Sequence, residues 1–259
     1  LEDGVKAFHE TDGQVKIELN SGQVIECDFV ILSIGVKPNS ELAKEAGIKL
    51  NQKNGIIVDE YLKTSIDDIY AVGDVIEVDH YVTKEKTMIP LAGPANKQAR
   101  ILADHICGIN KKYNGTLGTS IAKVFDLNVA SVGINEKQLK ANGKKKNKDY
   151  FTALINQKSH ASYYPGATSL TLKLIFEKDG HILGGQIVGQ DGVDKRIDTL
   201  ATTMRLDGTI YDLEELELSY APPFSSAKDP INMLGFVAEN ILRKFVKFIE
   251  WDEVDHLLN

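Results

Sequence analysis

The hydrophobic pattern begins in strand fashion. Val5-Lys6-Ala7-Phe8 and Val15-Lys16-Ile17-Glu18-Leu19 flank Asp12-Gly13, a hairpin signal. After a second turn at Asn20-Ser21-Gly22, Val24 to Asp28 leads into the unbroken apolar run Phe29-Val30-Ile31-Leu32. Such a run predicts a strand covered on both faces, as in a parallel sheet. Ser33-Ile34-Gly35 closes it. Ser40 to Gly47 reads as a short helix with Ser40 at its N-cap and Gly47 at its stop. Ile56-Ile57-Val58-Asp59 and Ile69-Tyr70-Ala71-Val72 predict two further strands, and the second ends in Gly73-Asp74. A polar loop, Glu77 to Thr87, precedes a helix that carries Pro94 in its first turn. That helix runs towards Cys107-Gly108, with Ile101, Leu102, His105 and Ile106 at helical spacing.

The texture changes after Lys111-Lys112-Tyr113-Asn114-Gly115, which marks a domain boundary. Ile121 to Phe125 and Val129 to Val132 read as strands around Asp126-Leu127-Asn128, and Asn135 to Asn142 as a capped helix. Tyr150 to Asn156, Leu170 to Glu177 and His181 to Val188 are three more strands, the last two joined at Asp179-Gly180. Val193, Ile197, Leu200, Ala201 and Met204 lie on one helix face. Asp229-Pro230 opens a final helix whose apolar face is Ile231, Leu234, Ala238, Ile241, Leu242 and Phe245. There is no internal repeat and no low-complexity segment.

At 259 residues and 42% hydrophobic, the chain can bury a sizeable core in one to three domains. Its net charge of −7 argues against a nucleic-acid or anionic-membrane partner. Lys144-Lys145-Lys146 with Lys148, following Asn142-Gly143, reads as a solvated loop. No apolar run approaches the roughly 20 residues of a membrane span. The two cysteines, Cys27 and Cys107, make no disulfide framework and lack metal-ligand spacing, so a cytoplasmic location is expected. Cys27 reads as a small core residue. No two of the 21 glycines are separated by a single residue, which excludes a G-x-G-x-x-G fingerprint. Neither a Walker loop nor C-x-x-C, H-E-x-x-H or G-x-S-x-G is present.

Chemistry concentrates in Thr64-Ser-Ile-Asp-Asp-Ile-Tyr-Ala-Val-Gly-Asp74. Gly73 allows a close backbone approach where a strand ends, and Asp74 places an acceptor there. A carboxylate suits a sugar or polyol hydroxyl, because the charge-assisted bond is short and strong. The pattern resembles the second flavin motif of the pyridine nucleotide-disulfide oxidoreductases, whose aspartate holds the ribityl chain of FAD. Asp28, Val30, Gly35, Pro38 and Asn39 likewise resemble the segment that, in this family, returns the chain from the NAD(P)H-binding domain to the FAD domain. Pro90 to Arg100 resembles the flavin-facing helix. There Leu91 and Ala92 are expected to contact the pyrimidine end through the main chain, and Asn96 to lie on the floor of the site. A helix amino terminus suits the negative charge of a reduced flavin.

Three further stretches narrow the resemblance: Ser159 to Ala167, Gly184 to Gly189, and Ser219 to Pro230. Together they look like the single-cysteine branch, which contains coenzyme A-disulfide reductases, NADH oxidases and peroxidases, and NAD(P)H-dependent persulfide reductases. In the coenzyme A-disulfide reductases two tyrosines and a lysine reach the other subunit's active site. By motif these fall on Tyr164 (with Tyr163 as the competing choice), Tyr220 and Lys228. A tyrosine hydroxyl can donate to a sulfur, and a lysine can pair with a coenzyme phosphate. Some of these reductases carry a substrate-contacting histidine where this chain has Asn96, which keeps the oxidase and persulfide readings open.

The resemblance implies α/β and α+β architecture: a partial doubly wound FAD/NAD(P)-binding region followed by an α+β dimerisation domain. The expected divisions are 1–36 for the end of the NAD(P)H-binding domain, 37–112 for the second half of the FAD domain, 113–246 for dimerisation, and 247–259 for a tail or a linker to a rhodanese-like domain. FAD and NAD(P)H are the implied cofactors, and a homodimer is the implied assembly. A small disulfide such as coenzyme A disulfide is the implied substrate. With neither dinucleotide fingerprint nor the redox cysteine, the chain reads as the carboxyl-terminal part of a longer enzyme and is expected to be inactive alone. The rival class is a dimerisation module without redox chemistry.

Overall fold

Three antiparallel strands, β1 (Val5–Thr11), β2 (Gln14–Leu19) and β3 (Val24–Cys27), form a sheet in that order. Thr11 faces Gln14, so only positions 12 and 13 connect the first pair, and Gly13 takes φ 78° as a tight hairpin demands. The computed structural model describes residues 3–11, 13–249 and 254, and the chain divides into the compact units Leu1–Lys37 and Pro38–Asn259. Most of the expected tail, and Asp12, lie outside the described residues.

The apolar run after β3 does not form the expected strand. Phe29 is 72% exposed and Ile34 89%, and no ladder pairs 29–35 with any described segment. A strand exists only through its neighbours' hydrogen bonds, and here none supplies them. Cys27 is half-buried, its Sγ 3.7 Å from the Val15 carbonyl oxygen, in keeping with a packing role.

In the second unit, α1 (Glu41–Glu45) starts at Ser40, whose side chain makes no capping bond, and stops before Gly47 at φ 79°. The strands expected at 56–59 and 69–72 are isolated bridges instead: Ile56 pairs with Leu50 and Ile76, and Tyr70 with Lys63. Asn54, Leu62 and Asp68 take positive φ, which interrupts the extended backbone every few residues. The segment is nevertheless tied down, with Ile56 donating to Val75 and Glu77 donating to Ile56. Ile48, Ile56, Leu62, Ile76 and Val78 bury together against Ala71, Val72 and, from the following helix, Ile101 and Leu102. The polar loop contains a two-residue ribbon, β4 (Val78–Asp79) with β5 (Lys86–Thr87), and α2 (Ala92–Ile106) follows.

A five-stranded antiparallel sheet comes next: β6 (Ser120–Val124), β7 (Leu127–Gly133), β8 (Phe151–Lys158), β9 (Ser169–Phe176) and β10 (Ile182–Gly189), in the order β6-β7-β10-β9-β8. Leu170, Leu172, Leu174 and Phe176 alternate along β9 and are fully buried in the main core. That core is shared with α4 (Val193–Arg205), α5 (Ile210–Glu215) and α6 (Pro230–Leu242), while α3 (Glu136–Ala141) carries its own capping box. The alternate cross-strand row, Ser120, Ser131, Gln186, Lys173 and Leu154, lines an open groove on the sheet. Phe245 falls beyond α6 and is exposed, not on the expected helix face, because the helix ends at Arg243 and Lys244 turns to φ 58°.

Gly184 and Gly133 face each other across β10 and β7. A Cβ at Gly184 would lie 2.2 Å from the Ile134 carbonyl oxygen. Gly184→Ala is therefore expected to destabilise the sheet by about 1–3 kcal/mol through overpacking. A thermal melt followed by circular dichroism checks this, and an unchanged midpoint would show that the strands can part at no cost.

Candidate functional site

The Gly73-Asp74 turn is held by α2. Tyr70 lies edge-on to His105 at 6.1 Å, and the Gly73 amide donates to Gln98 Oε1 at 2.7 Å. The segment thus runs back along the helix towards its amino end. Gln98 is buried, so its acceptor is fixed in place. Gly73 takes φ 90°, and an added Cβ there would meet no atom within 4 Å, so the turn is open on its outer side. Asp74 is exposed.

At the amino end of α2, Leu91 is the N-cap, with extended backbone and no side-chain capping bond. The first-turn amides of Ala92 and Gly93 are orphaned by helix geometry, and Pro94 has none to satisfy. Asn96 is exposed and turns its amide back to the Ala92 carbonyl oxygen at 2.9 Å. An acceptor on a glycine turn beside an uncapped helix start is a donor and acceptor set that fits a polyol chain and an anionic ring edge. Cys107 is the C-cap at the other end, about 24 Å away at 1.5 Å per residue.

The second cluster joins two loops. The Tyr163 and Tyr220 hydroxyls are 3.0 Å apart, and either can donate. The Tyr220 hydroxyl bound to it pushes Tyr163 above the ordinary phenol range. Tyr163 is 75% exposed, so the pair faces outward. Tyr164 instead lies edge-on to His160, 5.8 Å between ring centres. Lys228 is exposed and lines a shallow groove with Glu214, Glu217 and Asn232.

Sequence reasoning missed the group beneath the pair. Arg196 is 1% exposed, and its Nε and Nη2 reach Asp229 Oδ1 and Oδ2 at 3.1 and 2.9 Å. Nη2 also donates to the Ser159 carbonyl oxygen at 2.9 Å, and Nη1 to the Gly192 carbonyl oxygen at 3.0 Å. Ser225 donates its hydroxyl to Asp229, and Lys195 Nζ reaches the Phe224 carbonyl oxygen at 3.2 Å. Burial alone would raise the Asp229 carboxyl. The Arg196 charge, the Ile231 amide and the Ser225 hydroxyl outweigh it and hold Asp229 below the usual carboxylate range. The available signal was an arginine within the apolar stripe Val193, Ile197, Leu200, for which a buried anion had to exist.

Residues 1–99 match the family described as pyridine nucleotide-disulphide oxidoreductase, and residues 119–230 match its dimerisation domain. The chain belongs to the pyridine nucleotide-disulphide oxidoreductase family. Coenzyme A disulfide reductase of Staphylococcus epidermidis is 39% identical over 226 residues, which is 86% of this chain and 50% of that protein. The chain therefore spans about half the length of the curated relatives it matches. Among solved structures, reduced CoADR-RHD of Bacillus anthracis is 51% identical, with a TM-score of 0.91 over 99% of this chain and 45% of that one. The NAD-dependent persulfide reductase from A. fulgidus is 39% identical, with a TM-score of 0.89, over 98% of this chain and 46% of its own.

Membership in this family of oxidoreductases implies FAD and NAD(P)H as cofactors. The mixed sheet-and-helix architecture agrees with the expected fold class. No described helix is long and apolar enough to cross a membrane.

Proposed function

We propose that this chain is the carboxyl-terminal half of a flavin-dependent NAD(P)H:disulfide oxidoreductase that reduces coenzyme A disulfide, or a related thiol or persulfide, through a cysteine outside this sequence. In this reading 1–36 completes the NAD(P)H-binding domain, 37–112 the FAD domain, and 113–246 dimerises, while the chain alone does not turn over. The observation that carries the reading is the outward-facing Tyr163–Tyr220 hydroxyl pair, which matches a sulfur substrate. Its support is the 39% identity to coenzyme A disulfide reductase.

FAD, held by Asp74 and the start of α2, would supply the two-electron chemistry between the nicotinamide and the cysteine. Asp74 accepts a hydrogen bond from a ribityl hydroxyl, and Gln98 keeps the Gly73-Asp74 turn at the helix. The start of α2, with Leu91 and Ala92, offers amide donors and the positive end of its dipole to the anionic edge of the ring, and Asn96 closes the floor. The tyrosine pair, or Tyr164 with Tyr220, donates to a thiolate sulfur in the partner subunit's site, and Lys228 pairs with a coenzyme phosphate.

NADH oxidase activity is the second reading. Asn96 spends its amide on the Ala92 carbonyl oxygen and stands where a substrate-contacting histidine is found in some coenzyme A-disulfide reductases.

Anaerobic titration of the intact enzyme with NADH tests both. Bleaching of the visible flavin band, reversed by coenzyme A disulfide, is the expected result. Rapid reversal by oxygen alone would move the activity to an oxidase, and a protein without flavin would leave only a dimerisation module.

A further inference from the structure

The loops that carry the two tyrosines lie 57 residues apart in sequence, yet their hydroxyls meet at 3.0 Å. An exposed phenol has two free torsions and gains little from one such bond, so the pairing needs a backbone frame. The loop of Tyr163 is closed at its base, where Ser159 and Thr168 exchange two hydrogen bonds. The loop of Tyr220 turns at Ala221, whose carbonyl oxygen accepts from Phe224 and Ser225. One direct backbone bond links the two loops, Ala161 N–H to the Ser225 carbonyl oxygen at 3.0 Å.

Lys195 Nζ ties the second loop alone to α4 through the Phe224 carbonyl oxygen, whereas Arg196 reaches both loops. We propose that Arg196 is a positioning residue that sets the Tyr163–Tyr220 hydroxyl pair, by bonding at once to the loop of Tyr163, the loop of Tyr220 and its own helix. Nη2 takes the Ser159 carbonyl oxygen from the first loop. The same nitrogen and Nε take both Asp229 oxygens at the end of the second, and Nη2 lies 3.4 Å from Ser225 Oγ. Nη1 takes the Gly192 carbonyl oxygen at the start of α4. A planar fork with fixed donor directions can hold three chain segments at a set spacing, which a lysine ammonium on a flexible stem cannot. The guanidinium is buried and its counter-ion is bidentate, so water neither competes with nor loosens the joint. The consequence for catalysis rests on the function proposed above, but the tether does not.

The test labels the chain with 3-fluorotyrosine and records its nine tyrosine signals by ¹⁹F NMR. Tyr163→Phe and Tyr220→Phe assign the pair. In the otherwise native chain, Tyr220→Phe should shift the Tyr163 signal. In Arg196→Lys, which keeps the charge but loses the fork, that response should disappear while the signals of Tyr61, Tyr70 and Tyr113 stay in place. A folded Arg196→Lys chain in which Tyr163 still responds to Tyr220→Phe overturns the proposal. Should Arg196→Lys fail to fold, the double variant Arg196→Gln/Asp229→Asn decides, because it removes both charges and leaves no uncompensated one: a lost response supports the tether, and a full one overturns it. Turnover of the intact enzyme on a disulfide acceptor gives the second readout. Arg196→Lys and Tyr163→Phe should lower kcat by non-additive factors, as residues acting through one unit do. Additive losses overturn the positioning role, whereas no disulfide turnover in the wild type overturns the functional reading and leaves the NMR result standing.

Discussion

Replacing Asp229 with alanine is expected to destabilise the second unit by about 3–5 kcal/mol, the range seen when one partner of a buried ion pair is removed. The side chain has two jobs. It accepts two bonds from the buried Arg196 guanidinium, and it caps α6 through the Ile231 amide at 3.0 Å. Alanine leaves an uncompensated cation where Arg196 is 1% exposed, and it frays the helix that contributes Ile231, Leu234 and Ala238 to the core. At about 2–4 °C per kcal/mol for a domain of this size, the melting midpoint should fall by on the order of 10 °C. Asp229→Asn keeps an acceptor for the cap and should lose less. Circular dichroism melts at neutral pH decide, and an alanine variant melting within a few degrees of wild type would sink the account.

The sign of the pH dependence follows from the depressed carboxyl. The folded state holds Asp229 below its unfolded value of about 4. Its contribution is therefore complete above that value and is lost as pH falls through the folded one. The gap between wild type and Asp229→Asn should be level at neutral pH and narrow only in acid.

Asp74→Asn is expected to weaken FAD retention roughly 10–150-fold in the intact enzyme, corresponding to the about 1.5–3 kcal/mol of a hydrogen bond to a charged group. Asparagine keeps the shape and can still accept, so the loss isolates the charge. Because Asp74 is exposed and Gln98 bonds to Gly73 and not to Asp74, the fold should be untouched. The flavin-to-protein ratio after desalting, with the dissociation constant from fluorescence titration, measures it. Retention equal to wild type would remove Asp74 from the flavin site.

What the sequence revealed depended on whether the signal was local. Caps and hairpin turns are local, so Asn135, Asp229-Pro230 and Asp179-Gly180 marked α3, α6 and the β9–β10 turn correctly. The strands expected at 150–156, 170–177 and 181–188 formed as β8, β9 and β10, which pair in sequence, with β9 burying alternate residues from Leu170 to Leu174. The runs at 29–32, 56–59 and 69–72 were equally apolar but form no strands, because pairing depends on partners elsewhere and on backbone sign at Asn54, Leu62 and Asp68. Helix α5 went unseen because six residues are too few for a period to emerge, although Thr209 and Asp212 form its capping box. In the site, the tyrosine motifs were visible, but the contact between the Tyr163 and Tyr220 hydroxyls was not, because it joins loops 57 residues apart and no local pattern reports it. Arg196 was hidden because its partners lie about 35 residues away on either side.

The segment from Phe29 to Val36 holds eight residues with no charge, and Phe29, Ile31, Leu32, Ile34 and Val36 are exposed. A stretch of that length, β-prone and uncharged, is what another chain needs in order to stack against it as cross-β. Asp28 stands at one end and Lys37-Pro38 at the other, so a charge and a proline work as gatekeepers that keep the sticky window short. The same eight positions that promise a buried strand are thus, wherever their edge is unpaired, a template for β-stacking.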